Sequence, residues 1–405
     1  MSGGPSVRAG PEGAAERAAG TSGDSAQGAG RRGRPPAHPY FAGTDEEKAR
    51  GLFQLVGEDG AAHPLVDAMP RALARDLYRG MVRIRVIDAR MMALQRQGRI
   101  GFYGEALGQE AAVVGSAAAT QPEDWLVPAL REAGAGLYRG MPLDAYVAQI
   151  FGNDRDVSRG RQMPCHPCDR DTNYVVMSSC VASQIPHAVG IAHAMTVEGR
   201  GGRMCIGYMG DGGTSTSDFH AALNFAGVLQ APVVLACQNN QWAISTPGEA
   251  QTAAETIALK GLGYGLESLR VDGNDVMAVY VATRYAAQKA RAGGGPTFLE
   301  FLTYRVSAHS SSDDPSRYRD ETITEAWRTR RDPIQRARAL LEGRGWLSPS
   351  EDDALWAELE EEIRAAVGVH ERAGQPALDS LFEDVYEQPT WLLREQRELL
   401  NAKGA

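Results

Sequence analysis

Short apolar runs at 174–177, 204–209, 232–237 and 298–306 alternate along this chain with longer stretches of helical spacing, such as Phe219, Leu223 and Ala226, and then 276–291. Runs of that length without polar alternation suit strands covered on both faces, and a strand–helix rhythm puts such strands into one mostly parallel sheet between helices. The expected fold class is therefore α/β. At 405 residues the chain can bury a sizeable core without disulfides or metals to staple it.

The flanks read differently. Residues 1–44 are mostly Gly, Ala, Ser, Pro and Arg, with Val7 almost the only sizeable apolar side chain before residue 40, too little to offset the entropy of ordering. They read as a disordered leader. Glu12, Glu16, Asp24 and the glycines speak against an amphipathic mitochondrial presequence, and the Arg31, Arg32, Arg34 cluster reads as solvated linker. Residues 45–325 form the α/β domain. Residues 326–405 form a helical C-terminal extension, in which Ser348-Pro349-Ser350-Glu351 is a capped helix start with Leu355, Leu359, Ile363 and Val367 on one face.

Charge and cysteine content remove several function classes. With 42 Lys+Arg against 51 Asp+Glu the net charge is −9, which offers no global attraction to nucleic acid or an anionic membrane. No run of about 18 apolar residues occurs to span a bilayer. Five cysteines are too few for a disulfide framework, so the expected compartment is a reducing, bacterial-type cytoplasm ahead of a mitochondrial matrix. Cys165-His166-Pro167-Cys168 has the spacing of half a zinc site or a redox pair. It lacks a second pair, because Cys180, Cys205 and Cys237 fall where burial is expected. His38, His63, His187, His193, His220 and His370 show no metal spacing, and His187 and His193 read as packing residues of an Ala-rich helix.

The most informative stretch is 203–215, a strand running into Gly210-Asp211-Gly212-Gly213 and then a helix. Glycines at such a turn let backbone amides approach a phosphate. A dinucleotide fingerprint started at Gly210 needs glycine where Ser215 stands, and the next strand ends without a ribose-binding acid. That strand ends instead in Gln238-Asn239-Asn240. Asp211 and Asn240 lie 29 positions apart, at the carboxyl ends of successive parallel strands, where an open α/β sheet places its ligands. A carboxylate and an amide carbonyl are hard oxygen ligands, a poor cage alone but a sensible clamp for Mg²⁺ already held by a diphosphate.

Gly210-Asp211-Gly212 followed at this distance by Asn239-Asn240 resembles the thiamine diphosphate motif. The segments 97–103 (QGRIGFY), 131–134 (REAG), 160–164 (GRQMP), 184–186 (QIP), 239–247 (NNQWAISTP) and 309–314 (HSSSDD) narrow the resemblance to alpha subunits of branched-chain 2-oxo acid dehydrogenases. It runs from about Gly51 to the C-terminus and implies a thiamine diphosphate-binding fold. By that resemblance Asp211, Asn240 and the main-chain oxygen of Trp242 hold Mg²⁺, Gly210 and Gly212 lie against the cofactor, and Arg131 grips its diphosphate. Ser179 and Val181 seat the cofactor. Ser178, Cys180 through its carbonyl, Ser183 and Gln184 match a potassium loop. Leu130, Gln238 and Ser183 stand where an aromatic, an arginine and a threonine are common, and the first two put individual cofactor contacts in question.

His309 is the expected catalytic residue and a cofactor contact. It follows the last strand, at the mouth of the site, where an imidazole can hydrogen-bond a phosphate or pass a proton during acyl transfer. Ser310, Ser311 and Ser312 match a loop that is phosphorylated in some relatives. The chain carries no glutamate at the position that activates the cofactor in this family. The resemblance supplies that acid from a beta subunit in an α₂β₂ heterotetramer, which passes the acyl group to the lipoyl domain of a transacylase core. Branched-chain 2-oxo acids are the expected substrates, favoured by Ser312-Asp313-Asp314. A pyruvate dehydrogenase alpha subunit is the runner-up, and a non-catalytic scaffold would have no need of the metal ligands.

Overall fold

The computed structural model describes residues 41 and 43–404, so residues 1–40 and 42 of the expected leader lie outside the described residues. The core is a five-stranded sheet of β1 (Trp125–Val127), β2 (Cys205–Gly210), β3 (Val233–Asn239), β4 (Glu267–Asp272) and β5 (Thr297–Leu302). All its pairings are parallel and the spatial order is β1-β2-β3-β5-β4. Along β2, Ile206 and Tyr208 join one apolar cluster while Cys205 and Met209 join the other. Along β3, Val234 and Ala236 face the first cluster and Val233, Leu235 and Cys237 the second. The sheet is thus buried on both faces, which is why its strands read as unbroken apolar runs.

Helices cover both faces. The first cluster draws on α1 (Arg71–Arg96), α2 (Glu110–Ala118) and α5 (Val276–Arg291), the second on α3 (Gln184–Val197) and α4 (Ser217–Leu229). The expected helix at 276–291 coincides with α5, started by Asp275, whose carboxylate accepts from Met277 N and Ala278 N. α6 (Pro333–Gly343) and α7 (Pro349–His370) pack on α1, with Ile334, Leu341, Leu359, Ile363 and Val367 in the same cluster as Leu77 and Met81. α7 begins with the capping box expected at Ser348 and Glu351. A helix at Glu321–Arg330 crosses the 325–326 boundary.

Two strand readings need correction, and two strands had no reading. The run 174–177 is not a strand: Tyr174 makes isolated bridges to Leu126 and Asp169, and the chain then leaves the sheet to wall the cavity described below. The edge strand beside β2 is instead β1, three residues long. The last run forms ladder only to Leu302, although Thr303 N and Arg305 N still donate to the carbonyls of Asn239 and Asn240 as the chain leaves the sheet. β4, with Glu267, Arg270 and Asp272 in six residues, carried no apolar run to announce it.

Candidate functional site

A cavity of about 480 Å³ opens at the carboxyl ends of β2 and β3. It is lined by Leu130, Arg131, Ser178, Ser179, Val181, Gln184, Gly210, Asp211, Gly212, Gln238, Asn240, Trp242 and His309. Of the residues expected to hold cofactor or metal only Cys180 and Ser183 stay out of the lining, Cys180 being exposed and Ser183 bonded to its carbonyl. Parallel register creates the focus: Gly210 pairs with Gln238, so Asp211 and Asn240 each stand just past the end of adjoining strands.

The Gly turn is shaped from two sides. A Cβ on Gly212 would lie 2.6 Å from the Cβ of Ala243, whereas one on Gly210 would meet no atom within 4 Å and would stand at the cavity. Asp211 is buried and accepts a 2.8 Å hydrogen bond from the Gln251 amide; burial pushes its carboxyl above the ordinary value. The Asn240 amide donates to Gln109 Oε1 at 3.0 Å, and its Oδ1 accepts from Trp242 N at 3.2 Å. Behind Trp242 lies Arg305, fully buried, donating to the carbonyls of Trp242 at 3.4 Å and Ile244 at 2.8 Å and to the Tyr318 hydroxyl at 2.7 Å. It braces the two-stranded hairpin of Trp242–Ala243 and Thr246–Pro247 against the loop that follows His309.

Arg131 and His309 are joined through the backbone. Arg131 donates to the His309 carbonyl at 2.7 Å and to the Glu105 carbonyl, while His309 N donates to Asp313 Oδ2 at 2.7 Å. Burial, with help from Arg131 and Arg305, pushes the His309 imidazole down to about 4, so it is neutral near pH 7 and able to accept a proton. Burial and Arg305 push the Arg131 guanidinium down to about 10, still charged at neutral pH.

Several residues that sequence reasoning left without a role belong to the same wall. His166 Nε2 lies 2.7 Å from Ser179 Oγ, and its Nδ1 faces the Pro164 carbonyl at 3.1 Å. A carbonyl can only accept, so Nδ1 carries the proton and Nε2 accepts from the Ser179 hydroxyl. Among the described residues no three His, Cys, Asp or Glu side chains come together as a metal cage, and all five cysteines are free thiols. Cys205 and Cys237 are buried as expected, whereas Cys180 is exposed because the 178–181 loop turns outward, and His187 is exposed on its helix rather than packed. Ser183 Oγ donates to Cys180 O at 2.8 Å and lies 3.1 Å from Ser178 Oγ, which groups three oxygens. Glu132 and Gln109 line the cavity as well. Their signals were adjacency to Arg131 within the REAG segment and, for Gln109, a position just before α2. Gln109 Nε2, Gln184 Oε1 and Gln238 Oε1 are buried at this wall without a protein hydrogen-bond partner. Buried amide atoms of that kind take a hydrogen bond from a polar ligand or from water.

Comparison with known proteins is informative at this point. The model of the family described as dehydrogenase E1 component matches residues 78–379. The chain is 42% identical over 367 residues to 2-oxoisovalerate dehydrogenase subunit alpha 2, mitochondrial, of Arabidopsis thaliana, covering 90% of this chain and 77% of the relative. It is 40% identical to the subunit alpha of Homo sapiens (82% and 74% covered) and 39% identical to that of Caenorhabditis elegans (81% and 76%). These relatives are named as mitochondrial, which overturns the expectation of a bacterial-type cytoplasm. Cysteine usage misled because it separates oxidising from reducing compartments and cannot separate two reducing ones. No helix among the described residues is long and apolar enough to cross a membrane.

Proposed function

The chain belongs to the dehydrogenase E1 component family, and we propose that it works as the alpha subunit of a branched-chain 2-oxo acid dehydrogenase. E1 components of this family depend on thiamine diphosphate, and their alpha subunits act with a beta subunit. The relatives favour 2-oxoisovalerate over pyruvate as the substrate class. The observation that carries the reading is one cavity that gathers Arg131, Asp211, Asn240 and His309 with three glutamines, each of whose amides has one buried atom without a protein partner.

The residues fit the cofactor. Gly210 leaves room at the turn, Arg131 supplies positive charge, and Asp211 Oδ, Asn240 Oδ1 and the Trp242 carbonyl are the hard oxygens Mg²⁺ takes beside a diphosphate. Bound there, thiamine diphosphate supplies the carbanion that adds to the 2-oxo carbon and the electron sink for loss of CO₂. Ser179, fixed by His166, and Val181 form the seat, with Leu130 in the facing wall. The oxygens of Ser178, Cys180 and Ser183, with Gln184 Oε1, suit a potassium ion that stiffens the loop carrying this seat. His309, neutral and fixed at both backbone ends, is placed to accept and return a proton as the acyl group leaves. Glu132 is engaged by two backbone N–H groups and Gln238. The acid that activates the cofactor is assigned, by the resemblance, to the beta subunit of an α₂β₂ assembly that passes the acyl group to a lipoyl domain.

The test is reconstitution with the beta subunit. The expected result is decarboxylation only in the assembled enzyme, with kcat/KM higher for 3-methyl-2-oxobutanoate than for pyruvate; turnover by this chain alone, or preference for pyruvate, sinks the reading. Asp211→Asn should weaken Mg²⁺–thiamine diphosphate binding about ten- to a hundredfold by calorimetry.

A further inference from the structure

Glu132 and Gln238 are both almost completely buried, and both line the cavity. The two carboxylate oxygens of Glu132 do different things. Oε2 accepts from Ala129 N at 2.8 Å and from Arg131 N at 3.2 Å, while Oε1 accepts from the Gln238 amide nitrogen. That bond turns the carbonyl end of Gln238 away from Glu132, and Oε1 of Gln238 has no protein partner. Gln238 is the register partner of Gly210, next to the Gly turn and on the wall that also holds the Arg131 guanidinium. The unpaired group of this amide is thus an acceptor, and a diphosphate, which offers only acceptors, cannot pair with it. Reversing the amide would set its carbonyl against the Glu132 carboxylate, two buried acceptors face to face, unless Glu132 carries a proton.

We infer that Glu132 is a positioning residue: when the diphosphate binds, Glu132 Oε1 takes one proton from solvent and donates it in a hydrogen bond to Gln238 Oε1, and the Gln238 amide turns by half a rotation so that its NH₂ faces the diphosphate. The Glu132 O–H bond forms as a hydronium ion or buffer acid gives up its proton and leaves its conjugate base in solution, and the incoming negative charge is matched by that proton. The inference rests on the thiamine diphosphate reading and concerns a position where the family commonly has arginine. A neutral, switchable amide does there what a fixed cation does elsewhere.

The surroundings of Glu132 allow a proton at physiological pH. Burial pushes its carboxyl up to about 7, opposed by the Ala129 backbone N–H, by the Arg131 guanidinium and by the Arg131 backbone N–H. The other titratable side chains facing it are Tyr174, from the bridge beside β1, and Tyr208 of β2, both held far toward the neutral phenol by burial. The sign follows by linkage. A ligand that prefers protonated Glu132 binds with constant affinity below the carboxyl's pKa of about 7 and loses affinity as pH rises above it, by up to about tenfold per pH unit.

The experiment is calorimetric titration of the assembled enzyme with Mg²⁺–thiamine diphosphate at pH 8, in two buffers of different ionisation enthalpy. Wild type should take up about one proton more than Glu132→Gln, whose amide can donate to Gln238 without titrating. The variant should also lose most of the fall in affinity between pH 6 and pH 8.5. Equal proton uptake in the two proteins, or equal pH dependence of affinity, overturns the inference. Should the variant fail to assemble, wild type decides alone: binding with no proton taken up and affinity flat across that range overturns it. Failure to bind the cofactor at any pH counts against the function proposed above, a result distinct from binding without a proton.

Discussion

Gly210 and Gly212 are two residues apart and are glycine for different reasons. At Gly212 the protein itself occupies the space, the Ala243 Cβ lying 2.6 Å from where a side chain would begin. At Gly210 the backbone is ordinary extended chain, with φ −87° and ψ 169°, which any residue can adopt, and the space is open. The room at Gly210 therefore serves a ligand rather than the fold. Gly210→Ala should leave the unfolding free energy from urea titration within about 0.5 kcal/mol of wild type yet weaken cofactor binding at least tenfold, while Gly212→Ala should cost about 1–3 kcal/mol of stability. Unchanged cofactor affinity in Gly210→Ala would remove the reason given for that glycine. The sequence made the turn and its answering Asn240 visible because glycine and paired oxygen ligands leave a composition signal. It could not announce the work of Arg305, Gln251 or His166, which depends on which loop folds back onto the turn. An arginine four positions before His309 looks like any other until its guanidinium is found buried against the Trp242 and Ile244 carbonyls.

Among the elements, Asp275 shows how one side chain fixes both a helix and its neighbour. Its Oδ1 accepts from Met277 N at 3.0 Å and Ala278 N at 3.1 Å at the start of α5, and its Oδ2 accepts from Leu55 N at 2.7 Å and Val56 N at 2.6 Å. Leu55 and Val56 belong to the segment whose Phe53 bridges to Val271 at the outer edge of β4. The carboxylate thus ties the start of the described chain to the sheet edge. Asp275→Ala strands four backbone donors in a buried setting and should destabilise by about 3 kcal/mol, read as a shift in urea midpoint at constant slope. A loss below about 0.5 kcal/mol would mean that water replaces the carboxylate without cost. Elements of this kind differ in legibility for physical reasons. α5 and α7 carry caps and an apolar stripe, and both can be read to within a residue or two. β1 is too short to hold a pattern, and β4 puts charged residues in a strand because Glu267 is paired with Lys48 and Lys289 rather than exposed. The run at 174–177 is as apolar as a strand because it walls a cavity.

Across the whole molecule, the open question is what holds the C-terminal helices to the cofactor-binding body. Two kinds of contact join α7 to α1. Arg75, Arg79 and Arg83, one turn apart on α1, pair with Glu351, Glu358 and Glu362 at 3.0, 2.8 and 2.6 Å, all partly or largely exposed. Beneath them Leu359, Ile363 and Val367 enter the cluster that holds Leu77 and Met81, and the Tyr78 hydroxyl donates to buried Asp352 at 2.7 Å. Exposed ion pairs contribute little after side-chain entropy and screening, whereas a buried aliphatic side chain contributes through both transfer and packing. Ile363→Ala should accordingly cost about 2–4 kcal/mol and Glu358→Ala less than about 1 kcal/mol, and 0.5 M salt should move the wild-type unfolding midpoint only slightly. The reverse order would make α7 a surface attachment held by charge. With the apolar order, removing residues 349–405 would bare part of the core under α1, the helix that also packs on α2. The region read from sequence as an appendage to the α/β body would then share that body's core.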